Sequence, residues 1–174
     1  CTLGILLDRA GMFLKPFVPQ LQTTFIKALL DGAVEVRLQA ADNLGQLAPL
    51  SLRIDQLVSD LLSTCQTSLG GVKEAFIKAI GNVVLKANGK VSQPVVTKVG
   101  AYLLDVWCDP NESSGVQESA AVALGQYGMR CTNDELVHVI DKACSEKPRI
   151  QDLDALCSCF TFCLGGIKEV GLFT

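Results

Sequence analysis

Val36-Arg37-Leu38-Gln39-Ala40-Ala41-Asp42-Asn43-Leu44-Gly45-Gln46-Leu47 has the spacing of a single amphipathic helix. Val36, Ala40, Leu44 and Leu47 fall on one face, with Ala41 and Ala48 at its edge. Arg37, Gln39, Asp42 and Gln46 point elsewhere. Gly45 lies inside the helix, where glycine costs about 1 kcal/mol relative to alanine. A glycine tolerated there usually answers a packing demand.

The leucine-glycine step returns along the chain. Leu44-Gly45 is matched by Leu3-Gly4, Ile80-Gly81, Leu124-Gly125 and Leu164-Gly165, with glycines 41, 36, 44 and 40 residues apart. The flanks repeat as well. Val36-Arg37 corresponds to Val72-Lys73 and Val116-Gln117, and Gln46-Leu47 to Asn82-Val83 and Gln126-Tyr127. Ala40-Ala41 corresponds to Phe76-Ile77 and Ala120-Ala121. Each such helix follows another. Phe17, Leu21, Phe25 and Leu29 run at i, i+4 after Pro16, and Asp31-Gly32 breaks the chain before Val36. Helices near Ile54 to Cys65 and Val72 to Lys86 flank Gly70-Gly71. Helices over Pro94 to Trp107 and Gly115 to Tyr127 flank the turn from Asp109 to Ser114. A last pair is expected over Asn133 to Cys144 and Ile150 to Ile167, with Pro148 between them.

Two-helix repeats of the HEAT and armadillo kind have periods of about 40 to 47 residues. One pair cannot cover its own apolar face, so neighbours stack into a continuous core. The expected fold is therefore all-α, an α-solenoid of about four HEAT-like two-helix repeats. The units are the end of a preceding repeat at 1–12, repeats at 13–50, 51–90 and 91–130, and a degenerate repeat at 131–174. Leu3, Ile5 and Leu6 at one end, and Leu172 and Phe173 at the other, would leave apolar surface exposed. The chain is thus expected to be an excerpt of a longer array.

The formal net charge is -3, which argues against a general grip on nucleic acid. The longest uncharged apolar run, Ala155 to Ile167, is too short to span a bilayer, which takes about 20 residues. No signal peptide is visible. The cysteines Cys1, Cys65, Cys108, Cys131, Cys144, Cys157, Cys159 and Cys163 sit in apolar helical patterns, which predicts reduced, buried thiols in an intracellular protein.

Asp31, Val36 and Arg37 match the turn aspartate and valine-basic pair of the HEAT repeat. Gly11-Met12-Phe13-Leu14-Lys15-Pro16-Phe17-Val18-Pro19-Gln20-Leu21-Gln22-Thr23-Thr24-Phe25, taken with the stretch Val36 to Gly45, is more specific. It closely resembles the C-terminal HEAT region of the general control non-derepressible protein one family, giant activators of the amino-acid-starvation kinase. The strong match covers roughly residues 3 to 60 and weakens beyond them. The resemblance implies a cytoplasmic scaffold on ribosomes that binds the kinase's N-terminal RWD domain. That kinase phosphorylates the alpha subunit of translation initiation factor two. The other reading is a HEAT scaffold of a different class, such as a transport receptor or a phosphatase subunit.

Arg37 is the first candidate for partner contact, since an arginine clamps a carboxylate with two hydrogen bonds. Its alternative role is a structural ladder to the turn aspartate Asp31 or to the neighbouring unit. Lys73 takes the same place in the next unit, and Gln117 in the third. Lys15, Lys27 and Arg53 are expected to widen a basic patch, or to be ordinary solvated charge. Asp109, Glu112 and Glu118 read as a solvent-facing acidic patch at the third turn. Cys157, Cys159 and Cys163 lack a second C-x2-C pair, so buried thiols are favoured over zinc. His138 has no nucleophile signature around it. No phosphate loop or catalytic pair of carboxylates occurs, so no enzyme, metal or cofactor is expected. The expected partners are the RWD domain, the ribosome through a parent protein, and neighbouring HEAT repeats, with no direct nucleic-acid or membrane contact.

Overall fold

The computed structural model describes residues 13–128, 130–132, 134, 135, 137, 138 and 141. The end of a preceding repeat at 1–12, the helix over 150–167, the Cys157, Cys159 and Cys163 cluster, and most of 131–174 lie outside them. So do Leu3-Gly4, Leu164-Gly165, Cys1, Cys144 and Pro148.

Among the described residues six full helices follow one another: α1 (Val18–Ala28), α2 (Val34–Leu47), α3 (Ile54–Thr67), α4 (Gly70–Lys86), α5 (Gln93–Cys108) and α6 (Ser114–Gly128). Short 3-10 turns at Lys15–Phe17 and Ala48–Leu50 lead into α1 and out of α2. No strand occurs among the described residues. Proline marks the starts. Pro16 opens the first 3-10 turn, and Pro19 and Pro94 sit in the first turns of α1 and α5, where a missing N–H costs nothing.

The turns inside the pairs use two chemistries. Asp31 Oδ1 accepts the Ala33 N–H at 2.8 Å, and Asp109 Oδ1 accepts the Asn111 N–H at 2.9 Å. Both are aspartate turns that reverse the chain over two residues. The turn between α3 and α4 has no aspartate. There Gly70 takes φ +53, a conformation open to glycine, and so begins α4 earlier than Val72.

The first helix of each pair packs on its second: α1 on α2, α3 on α4, α5 on α6. The second helices pack on each other, α2 on α4 and α4 on α6, far more than α3 does on α5. They form the spine of an all-α solenoid. The equivalent positions Ala41, Ile77 and Ala121 are all fully buried there.

The buried seam of α2 differs from the expected one. Ala41, Leu44, Leu47 and Ala48 are all 0% exposed, whereas Val36 is 41% exposed. The cause is that α2 packs against both α1 and α4, so two stripes are covered rather than one. Val36 lies in an open cleft with Phe25, Ala28, Gln39 and Asn43 at the N-terminal side of the described array. Its equivalent Val116, inside the array, is 0% exposed.

Gly45 explains itself by its neighbour. A Cβ there would lie 2.8 Å from Asn82 Cβ on α4. At Gly81 a Cβ would lie 3.1 Å from Ala123 Cβ on α6. The glycine step is the point where one second helix nearly touches the next.

The capping box Thr132-x-x-Glu135 starts a further helical segment. Glu135 accepts the Thr132 N–H at 3.0 Å, while its own N–H donates to Thr132 Oγ1. The same carboxylate accepts Gln93 Nε2 at 2.7 Å and the Thr97 hydroxyl, both on α5. Burial pushes the Glu135 carboxyl up, but the bonds from Thr97, Thr132 and Gln93 outweigh it and hold it below its ordinary value.

Gly45→Ala lowers unfolding stability by about 1–3 kcal/mol in chemical denaturation, because Asn82 Cβ is rigidly tied to its backbone. Gly32→Ala, with nothing within 4 Å, stays within about 0.5 kcal/mol of wild type. The Glu135 contribution is complete above pH 4.5 and is lost as pH falls through the lower folded-state value. Glu135→Gln therefore flattens the dependence of the urea midpoint on pH in that acidic range.

Candidate functional site

Arg37 and Lys73 stand at the starts of α2 and α4. Neither is a free surface cation. Arg37 is 9% exposed and Lys73 7%. Arg37 Nη1 donates to the carbonyls of Asp31 at 2.8 Å and Gly32 at 3.1 Å. Nη2 lies 2.8 Å from where a Cβ of Gly71 would stand. The guanidinium thus bonds its own turn and covers the first turn of the next unit's second helix. This corrects its expected place off the apolar face. Its contact is the Asp31 carbonyl, while the Asp31 carboxylate accepts the Ala33 N–H.

Lys73 Nζ pairs with Glu112, in the turn of the following unit. Gln117 Nε2 donates to the Asp109 carbonyl at 2.7 Å. The three equivalent residues are therefore all spent inside the protein, along one edge of the array. Glu112 and Asp109 hold internal bonds as well, which corrects the solvent-facing acidic patch for those two, while Glu118 is exposed as expected. Beneath this edge Cys65 is a free, buried thiol that meets the Tyr102 hydroxyl at 3.4 Å. Burial pushes both the Cys65 thiol and the Tyr102 phenol up, so neither ionises near neutrality.

Lys15 and Arg53 lie elsewhere. They precede α1 and α3, the first helices, while Arg37 and Lys73 begin second helices. Paired helices run antiparallel, so the two sets sit at opposite ends of the layer. The separation is about 20 Å for a 14-residue helix such as α3. Lys27, at the far end of α1, does not extend the Lys15 patch either. Lys15 and Arg53 are exposed, with no hydrogen bond or ion pair from their side chains among the described residues. Three apolar side chains accompany them: Phe13 is 85% exposed, Phe17 54% and Leu52 97%. Periodicity puts Phe17 at the head of the apolar run Phe17, Leu21, Phe25 and Leu29, but it falls in the 3-10 turn before α1 and stays exposed. Phe13 and Leu52 belong to no periodic run.

A polar line crosses the spine. Asn82 Nδ2 donates to Asp42 Oδ1 at 3.0 Å, and Gln126 Nε2 donates to Asn82 Oδ1 at 3.3 Å. Lys78 Nζ adds an ion pair to Asp42 at 3.1 Å. The alignment of Asn82 with Gln126 is the only sequence signal for it. His138 is exposed and borders a cleft of about 370 Å³ with Asp105, Tyr127 and Glu135. The Cys131 thiol is directed at the Gly128 carbonyl, 3.6 Å away. No group of His, Cys, Asp and Glu suited to a metal ion occurs among the described residues.

Arg37→Met is expected to cost about 1.5–3 kcal/mol of unfolding stability, the range for hydrogen bonds to a charged group. Arg37→Glu costs more, since it faces two carbonyls with a carboxylate. A double-mutant cycle of Lys73→Ala and Glu112→Ala gives a coupling on the order of 1 kcal/mol.

No family model and no solved structure matches the chain. Curated relatives do. It is 43% identical to Protein ILITYHIA of Arabidopsis thaliana over 124 residues, 71% of this chain. It is 35% identical to the stalled ribosome sensor GCN1 of Homo sapiens over 142 residues, 81% of this chain. It is also 35% identical to the eIF-2-alpha kinase activator GCN1 of Saccharomyces cerevisiae over 136 residues, 77% of this chain. The matched stretch is only 4% to 5% of each relative's length. The chain belongs to the GCN1 family and corresponds to a short stretch of it.

Proposed function

We propose that the chain is a protein-binding scaffold segment, from the C-terminal HEAT region, of a cytoplasmic, ribosome-associated translational regulator. In this reading it helps dock and activate the starvation-responsive initiation-factor kinase through that kinase's RWD domain. The observation that carries the reading is the similarity over 71% to 81% of this chain to relatives that include a stalled ribosome sensor and an eIF-2-alpha kinase activator. The fold supports a scaffold role, because rigid stacked helices hold exposed side chains at fixed spacings. No helix among the described residues is long and apolar enough to cross a membrane.

The residues assigned to partner contact are Lys15 and Arg53, with Phe13, Phe17 and Leu52 around them. An unpaired cation beside an exposed aromatic suits a partner surface that carries carboxylates next to an apolar spot. Arg37 and Lys73 act at one remove in this reading, by keeping successive units in register. The units are divided at 1–12, 13–50, 51–90, 91–130 and 131–174.

Calorimetric titration of the chain with the isolated RWD domain tests this. Wild type binds, and Lys15→Glu with Arg53→Glu weakens binding by about fivefold per charge while helicity is unchanged. A double variant that binds as well as wild type removes this edge from the interface. A wild-type chain that binds no RWD domain overturns the kinase reading.

A further inference from the structure

The second helices carry a stripe at every fourth position that faces away from the first helices. It reads Leu38 and Asp42 on α2, Glu74, Lys78 and Asn82 on α4, and Glu118, Val122 and Gln126 on α6. Across these helices lies a groove of about 250 Å³, lined by Leu38, Glu74, Lys78, Glu118, Val122 and Gln126 among others. Its charges are unequally satisfied. Lys78 is neutralised by Asp42, and the amides of Asn82 and Gln126 are bonded in line. Glu74 and Glu118 have no ion pair among the described residues. Glu74 Oε1 lies beside Gly115, 2.6 Å from where a Cβ there would stand, at the positive N-terminal end of α6. Leu38, 40% exposed, and Val122 supply apolar wall between these carboxylates.

We propose that this groove seats a lysine- or arginine-bearing segment of a protein partner, distinct from the RWD contact at the opposite, basic edge. A long basic side chain lays its aliphatic stem on Leu38 and Val122 and presents its head to Glu74 and Glu118. A polyanion such as RNA, or an anionic bilayer, is repelled by the same two carboxylates. The surface is a site for a positively charged segment on a wall with no uncommitted cation, since Lys78 is bound to Asp42.

The test uses the 174-residue chain and a fluorescein-labelled helical peptide with lysines and leucines at i, i+4 spacing, followed by anisotropy. Its counterpart with glutamate for lysine is the control probe. The lysine peptide binds and the glutamate peptide does not. Glu118→Gln weakens binding by about fivefold. Leu38→Lys abolishes it by placing a cation in the groove, and this exposed substitution leaves the core intact. Asp60→Asn, an equal change of charge on the outer face of α3, leaves binding unaltered. Equal losses for Asp60→Asn and Glu118→Gln would reduce the effect to diffuse attraction and overturn the proposal. So would Leu38→Lys binding as well as wild type. Self-association of the chain that Leu38→Lys dissolves would make a second copy the occupant, and would also overturn it. RWD binding is read separately in the Lys15 and Arg53 variants, so either reading fails without the other.

Discussion

The distance between consecutive second helices governs everything else in this array. At Gly45 and Gly81 the next helix comes within van der Waals range of the backbone itself. A side chain at either point would push the spine apart. Close approach then fixes which neighbours reach each other: Asn82 to Asp42, Gln126 to Asn82, Lys73 to Glu112. These bonds are short-range and directional, so they form only if the backbones are already near. The glycine costs helix propensity locally and is offset by contact along the whole spine.

The order of the array is legible in the sequence because its punctuation is chemical. Proline opens helices, Asp31 and Asp109 close turns, and the leucine-glycine step recurs. The helix boundaries found near Ile54, Lys86, Gln93 and Gly128 all lie within a few residues of those marks. What is not legible is which charged residues remain outside. Periodicity treats a helix as having one buried face, whereas α2 and α4 are enclosed on several sides. Arg37 and Lys73 look solvent-facing on a single wheel and are buried once the neighbouring unit is in place. The Lys73 and Glu112 pair spans 39 residues. Only the inter-unit register reveals it.

The same register changes what the candidate basic residues mean. The five cations read as one basic patch, Arg37, Lys73, Lys15, Lys27 and Arg53, divide into a buried set and an exposed one. Arg37 and Lys73 hold turns and units together, while Lys15, Lys27 and Arg53 are exposed. Neither composition nor net charge carries this distinction. It comes from helix direction alone, since every second helix starts where the first one ends.

That antiparallel arrangement gives the solenoid unlike hems. One border is made of turns within pairs, where Asp31, Asp109 and the Lys73–Glu112 pair use up their charge internally. The other is made of turns between pairs, where Phe13, Phe17 and Leu52 stand out beside Lys15 and Arg53. A ribbon with two different hems has a handedness that a visitor can sense. On such a ribbon the direction of the chain can be read from the chemistry of its borders. Repetition by itself makes every unit alike, yet the two borders of this ribbon cannot be exchanged.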